Sequence, residues 1–463
     1  MLYKSTRGSS QEIPFSEVLL GGLAPDGGLY MPDHFPFMTL EEINRMETLE
    51  FHELASKILF PFVTGEITET EFSNLVQDTY SNFNNKNVVN LVEIEREKWI
   101  LELFHGPTLA FKDVAMQLLG ALLDYFSQKQ GRRIAVLGAT SGDTGAAAIS
   151  ACSGYSNVDV FILYPHGRVT EVQRRQMTTS EAKNVHALAV ETDFDGCQAM
   201  VKDIFMDDSV SKKDTRLVAA NSINWTRCMT QSVYFFWSYL RLKDITPRLS
   251  FSIPSGNFGH AYAGWIAREM GLPIERLLVA TNSNDVLHNL FTNNLYERNN
   301  VSKTLAPSMD ISISSNFERL LYNLYEDNSD LLSEAMKTFA NKSIQIPTER
   351  WAEVKEIFPS LSSTDEQIIH QIKRTYSNFN YLVDPHTATG LRATESLALK
   401  GETIVTMATA HPAKFVEAIK IALPKHQMEE PAQLKSMKER EEIFTVLPND
   451  LNVVKDYIRT NLK

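Results

Sequence analysis

RIAVLGATSGDTGAAAIS, Arg133 to Ser150, joins a short apolar run to a glycine-rich turn and an alanine-rich helical segment. Apolar runs of this length, bounded by glycine and polar residues and followed at once by a helical pattern, are the sequence form of a βαβ unit. The stretch therefore predicts a parallel sheet flanked by helices. VDVFILYP (158–165), VHALAVE (185–191) and LVAAN (217–221) repeat the form and complete one layer of four strands. A second series, LSFSIPSG (249–256), RLLVATN (276–282), YLVDP (381–385) and ETIVTMAT (402–409), predicts a second layer. The fold class is α/β, with two doubly wound α/β domains, an N-terminal cap and a helical insertion.

The boundaries follow from composition shifts. Residues 1–95 read as the cap, with a Gly/Pro-rich stretch from Gly21 to Pro36 and helical segments around 39–60 and 67–83. Residues 96–130 carry a conspicuous lysine and are counted with the large domain, 131–245 form the small α/β domain, and 246–463 form the large one. Within the last, 284–376 begin rich in Asn and Ser and continue in helical patterns, as expected of an insertion, while the charged stretch from about 425 reads as peripheral.

A chain of 463 residues exceeds one ordinary core, which agrees with two domains. Its formal charge of −12, from 45 basic against 57 acidic residues, argues against a nucleic-acid surface or an acidic membrane as partner. Any anionic ligand must be held by local groups. The start MLYKSTRGSSQEIPF lacks the apolar core of a signal peptide, and no run approaches the ~20 apolar residues of a membrane span, so a cytoplasmic protein is expected. Cys152, Cys197 and Cys228 are too widely spaced for a CxxC site or a disulfide framework and read as buried thiols. The eleven histidines form no HExxH pattern, so no metal site is expected and the chemistry is assigned to an organic cofactor.

Two glycine-rich turns follow strands and open helices. In Gly138 to Ser150 the helix N-terminus offers free backbone N–H groups, with hydroxyls from Thr140, Ser141 and Thr144, and suits a carboxylate or a phosphate equally. PSGNFGHAYAGWIA, Pro254 to Ala267, is the second, where Gly256 and Gly259 allow close backbone approach and Ser255 and Asn257 add polar groups. A dinucleotide would call for an acidic residue ending the strand after the first turn; Tyr164, Pro165 and His166 stand there instead. In ELFHGPTLAFKDVAMQLLG, Glu102 to Gly120, Lys112 is flanked by Ala110, Phe111 and Val114. It is either a solvated lysine at a helix start or an amine in an apolar pocket, where desolvation favours Schiff-base chemistry.

HGPTLAFKD, GATSGDTGAAAI, NSINWTR, PSGNFGH and ATAHPAKF occurring together resemble the threonine synthase family, and the likeness runs from YKSTRG near the start through GLAPDGGLYMP to AHPAKF. It is similar to the longer branch, with an N-terminal extension. The resemblance implies the fold of the tryptophan-synthase β-subunit group, with pyridoxal 5'-phosphate between the two α/β domains. It implies Lys112 as the Schiff-base lysine, Ser255, Gly256, Asn257, Phe258, Gly259 and His260 as the cradle of the cofactor phosphate, and Thr409 as hydroxyl partner of the pyridine nitrogen. Thr140, Ser141, Gly142, Asp143 and Thr144 match the loop that binds the substrate α-carboxylate. Asp143 stands where related lyases carry asparagine, and as it would repel that carboxylate it is expected to face a backbone N–H or the substrate ammonium.

The implied reaction is that of a lyase of threonine biosynthesis: O-phospho-L-homoserine and water give L-threonine and phosphate by γ-elimination and β-addition of water. A phospho-lyase or dehydratase of the same fold is the alternative. For the departing phosphate Arg227 is the first choice, with Asn224 one helical turn before it on the same face. Arg7 and Arg174 are weaker candidates. Asn221 and Asn224 could equally cap a helix, His105 and His411 could bond local backbone, and Asp113 is expected to cap or orient the lysine segment.

Overall fold

The computed structural model describes residues 1–8, 11–140, 142–207, 209–210, 214–246, 249–339 and 342–462. Near the N-terminus β1 (Leu2–Ser5), β2 (Ile13–Pro14) and β3 (Tyr30–Pro32) form a small antiparallel sheet. Helices Leu40–Asn44, Phe51–Val63 and Glu69–Tyr80 follow, two of them started by Thr39 and Thr68 in capping boxes with Glu42 and Glu71.

Further along run β4 (Asn90–Glu95), β5 (Lys98–Glu102), β6 (Arg133–Ala139), β7 (Val158–Pro165), β8 (Val185–Val190) and β9 (Thr215–Ala219). The remaining strands are β10 (Leu249–Pro254), β11 (Ile274–Thr281), β12 (Ser360–Ser362), β13 (Thr403–Ala408) and β14 (Thr445–Leu447). They build a five-stranded sheet in the order β14-β8-β7-β6-β9 and a six-stranded sheet in the order β12-β11-β10-β13-β5-β4. All neighbours are parallel except β4 on β5. Both faces of such sheets must be covered, which is why β7, β10 and β13 are buried along their whole length.

The strand orders place the crevices. In the smaller sheet the chain runs from β6 outward to β7 and β8, then returns to β9 on the other side of β6; the switch lies at the turn after β6. In the larger sheet it runs from β10 to β11 and β12 and later returns to β13, so the switch lies at the turn after β10. Ligands of open parallel sheets bind outside the carboxyl ends of the strands at such points. Both glycine-rich turns stand there, and Thr409 directly follows β13 beside the second.

Two expectations are corrected. YLVDP is not a strand: Asp384 caps the helix Pro385–Leu397, accepting from the N–H groups of His386 and Thr387. A cap carboxylate followed by proline at the first helical position favours helix initiation over pairing. The C-terminal stretch is not peripheral, nor does it join the sheet of the domain to which 246–463 was assigned. Its β14 pairs with β8 of the smaller sheet, and helix Leu451–Asn461 sets Val454 and Ile458 against Phe161 and Leu188. The insertion holds helices at Val286–Asn293, Phe317–Leu324, Ser329–Phe339, Thr348–Ile357 and Asp365–Phe379, and β12 within it extends the larger sheet. Cys152, Cys197 and Cys228 are free, buried thiols. Among the described residues no helix is long and apolar enough to cross a membrane.

Candidate active site

Lys112 begins the helix Lys112–Gln130, just beyond the carboxyl end of β5. The segment before it is fixed on both sides. Asp113, fully buried, accepts from Thr108 N–H at 2.8 Å and Thr108 Oγ at 2.6 Å, closing the HGPT turn onto the helix start. Leu109 takes a left-handed backbone conformation, φ 59°, to make the corner. Phe111 N–H donates to Thr409 O at 2.8 Å and His411 N–H to Leu109 O at 3.0 Å, so the lysine and the end of β13 are stitched together. Burial lowers the proton affinity of Lys112, Asp143 opposes this, and Lys414 and Arg227 reinforce it. The amine is therefore enclosed and not the solvated alternative.

Ser255 to His260 wrap the start of helix Gly259–Glu269. Phe258 is left-handed, φ 62°, turning the backbone into the helix. Serines and an asparagine of the insertion clamp the turn from outside: Ser314 Oγ donates to Gly256 O at 2.8 Å, Ser315 Oγ to Asn257 Oδ1 at 3.0 Å, and Asn316 N–H to Asn257 O at 3.0 Å. A Cβ on Gly256 would come within 3.0 Å of Ser308 O and 3.2 Å of Met309 Cα, both backbone atoms. His260 stacks on Phe111 with ring centroids 4.9 Å apart. Neither of its ring nitrogens has a hydrogen-bond partner among the described residues, and burial together with nearby Lys112 pushes its imidazole down to about 3.

The first turn behaves otherwise than expected at two positions. Thr140 Oγ accepts from the N–H groups of Gly142 and Gly145, both at 3.0 Å, so this hydroxyl shapes the loop. Asp143 has no backbone N–H partner among the described residues; it lies between two lysines. Lys414 Nζ is 2.9 Å from Oδ1 and Lys112 Nζ 3.6 Å from Oδ2. Gln173 Nε2 donates to Oδ1 at 3.3 Å and Ser308 Oγ to Oδ2 at 3.5 Å. Burial alone would raise the Asp143 proton affinity, but Lys414 and Lys112 outweigh it and hold the carboxyl well below the usual carboxylate range. Thr144 lies in the first turn of the helix Asp143–Cys152, and Ser141 lies outside the described residues.

Arg227 is buried in helix Trp225–Gln231 with no carboxylate paired to it among the described residues, and its Nε and Nη1 lack hydrogen-bond partners. Asn224 does not join it as a ligand: Oδ1 caps the helix by accepting from Thr226 N–H at 3.0 Å, and Nδ2 donates to Leu19 O at 2.9 Å, so both ends are engaged. Arg7 is held by Glu318 and Arg174 by Glu442, each through two bonds. Asn221 accepts from Ile223 N–H, His105 pairs with Glu102 at 3.0 Å, and His411 accepts from Ala413 N–H at 3.1 Å, all local roles.

Behind Thr409 stands a support that sequence reasoning did not single out. Thr409 N–H donates to Thr387 Oγ at 3.2 Å, Thr387 Oγ donates to Asp384, and His386 Nδ1 meets Asp384 at 2.8 Å. Lys414, Gln173 and Ser308 were also missed. Lys414 lies inside the motif ATAHPAKF, but nothing in its neighbours marks it as buried.

The unpaired nitrogens of the buried His260 and Arg227 fit an anionic ligand between the sheets. Residues 90–346 match the family model described as pyridoxal-phosphate dependent enzyme. Fold and site thus define a pyridoxal-phosphate-dependent enzyme of two α/β layers. Residues 2–80 match the threonine synthase N terminus and 387–458 the threonine synthase C-terminal model. The threonine synthase of Pseudomonas aeruginosa is 48% identical over 99% of this chain and 98% of its own length, and that of Saccharomyces cerevisiae 41% identical over 91% and 89%. The crystal structure of PLP-bound threonine synthase from Brucella melitensis superposes with TM-score 0.96 at 43% identity, covering 100% and 99% of the two chains. The chain belongs to the threonine synthase family.

Proposed function

We propose that this enzyme converts O-phospho-L-homoserine and water to L-threonine and phosphate, with Lys112 as the amine that both carries the cofactor and moves protons. Lys112 would hold the cofactor aldehyde carbon, the backbone of Ser255 to Gly259 its phosphate, and Thr409 its ring nitrogen. The bound cofactor supplies an electron sink that makes the substrate Cα proton removable. His260, neutral and stacked on Phe111, forms an apolar wall beside the amine.

Lys112, once displaced by the substrate amine, takes the Cα proton and then a Cβ proton, whose electron pair expels phosphate from Cγ; it returns a proton to Cγ and, after water has added at Cβ, a proton to Cα, so that it acts by turns as base and acid. Its burial supports this, because a desolvated amine gives up a proton near neutral pH more readily than a solvated one. Backbone N–H groups at the start of the helix Asp143–Cys152 receive the substrate carboxylate. Arg227 receives the substrate phosphate, and the observation carrying this is its buried, unpaired guanidinium: an uncompensated buried charge is costly unless a ligand anion completes it.

The test is phosphate release from phosphohomoserine with product analysis. Threonine in equal amount to phosphate is expected; a 2-oxo acid instead would favour the dehydratase alternative, and no turnover by cofactor-loaded protein would overturn the reading.

A further inference from the structure

Lys414 has a place in the site that no role above uses. It is 2% exposed and lies in the turn after β13. Its Nζ meets Asp143 Oδ1 at 2.9 Å and donates to Thr108 O at 2.7 Å. Asp143 thus gives one oxygen to Lys414 and turns the other to Lys112. Burying a second ammonium here is costly, and local hydrogen bonding does not require it, because Thr108 O already accepts from Gln176 Nε2 at 2.9 Å. What Lys414 alone supplies is a fixed positive charge.

That charge has a use in the proton traffic of Lys112. Without it, the one positive partner of Asp143 would be an amine that must be neutral when it takes the Cα proton. An ionised carboxylate stripped of its other counter-charge would hold the amine as ammonium. With Lys414 in place Asp143 remains ionised whichever form Lys112 is in. The charged and titratable groups facing Lys112 are Asp143, Lys414, Arg227 and His260; Asp143 also faces His386, and Lys414 faces Asp113 and His411.

We propose that Lys414 is a positioning residue for the proton transfers of Lys112: it holds the Asp143 carboxylate ionised and aimed at the amine, and its fixed charge keeps that amine ready to part with its proton. No proton passes to Asp143. The proton taken from Cα rides on Lys112 Nζ beside a carboxylate already ionised, and leaves from the same nitrogen to carbon. The proposal rests on the reading of Lys112 given above.

The test measures the ionisation of Lys112 directly. In the full-length chain freed of cofactor, the rate at which an acylating reagent labels Lys112 is followed against pH by peptide mass spectrometry. Lys414→Met should move the midpoint upward by about one pH unit or more, the usual effect of a charge at this range, so labelling below the midpoint slows roughly tenfold. Lys414→Arg, which keeps the charge, should retain the wild-type midpoint. In the cofactor-loaded protein the pH titration of the visible absorbance should shift in the same direction. An unmoved or lowered midpoint in a Lys414→Met protein that still melts cooperatively overturns the proposal, as does an equal shift in Lys414→Arg. If the methionine variant does not fold, Lys414→Gln, polar but uncharged, must show the upward shift or the proposal falls. Because labelling needs no cofactor, this failure is distinct from the failure of Lys112 to carry one.

Discussion

Replacing Arg227 by methionine should make the cofactor-free protein more stable while weakening its hold on phosphate. The guanidinium is 4% exposed and burial pushes it down to about 10 from its ordinary 12.5. At ~1.4 kcal/mol for each tenfold in proton affinity, the charge costs the folded state roughly 3 kcal/mol at neutral pH. The folded form binds this proton less tightly than the unfolded chain, so the cost is full below about pH 10 and is relieved as pH rises further. Methionine removes the charge and keeps most of the packing volume, so a gain of about 1–3 kcal/mol is expected. For a chain this long that is roughly 1–3 °C in melting temperature. In the cofactor-loaded protein, where the Ser255–Gly259 cradle is filled, inorganic phosphate should stabilise the wild type, by about 2.7 kcal/mol at a hundred times its Kd, and leave the variant unmoved. KM for phosphohomoserine should rise about thirtyfold or more, as when one partner of a buried charge pair is removed. A variant that melts several degrees lower, with phosphate shifting both proteins alike, would show that Arg227 is a structural residue and not a phosphate ligand.

Gly256→Ala sets a Cβ 3.0 Å from Ser308 O; strain of about 1–3 kcal/mol is expected in the cradle, read as a roughly 10- to 100-fold weaker cofactor affinity by fluorescence titration. Asp143→Asn leaves Lys414 buried without its carboxylate and should destabilise by about 3–5 kcal/mol in denaturant titration. Because the folded carboxyl is held below its ordinary 3.8, its contribution is present above that pH and lost as pH falls further, so the variant should show a flatter decline of stability in acid. Ile458→Ala, at a fully buried position against the smaller sheet, should cost about 2–5 kcal/mol, whereas a peripheral C-terminal helix would tolerate it within experimental error.

The features legible in the sequence are those set by neighbours in the chain. A β-rich run closed by glycine and followed by a helix is a local pattern, and RIAVLGATSGDTG and LSFSIPSGNFGH both stand as strand, turn and helix. YLVDP has the apolar run of a strand, but Asp384 and Pro385 at its end set a helix start. The C-terminal strand Thr445–Leu447 is too short for periodicity to mark it, and its partner Val185–Val190 is remote in the chain.

The candidate site divides in the same way. Lys112, the Ser255–His260 turn and Thr409 sit at carboxyl ends of parallel strands, where pattern and resemblance both pointed. An asparagine that caps a helix and one that binds a ligand look alike in sequence, and at position 224 only Leu19 O opposite the amide distinguishes them. Lys414 carries no local signal, because its meaning depends on Asp143, which reaches it from the other sheet. Charges that pair across domains leave no trace in local sequence.

On the reading proposed above, the buried amine of Lys112 carries the cofactor. Reduction of the cofactor-loaded protein with borohydride, followed by peptide mass spectrometry, should find a single pyridoxyl group on Lys112; its absence there, or its presence on Lys414 instead, would contradict the account.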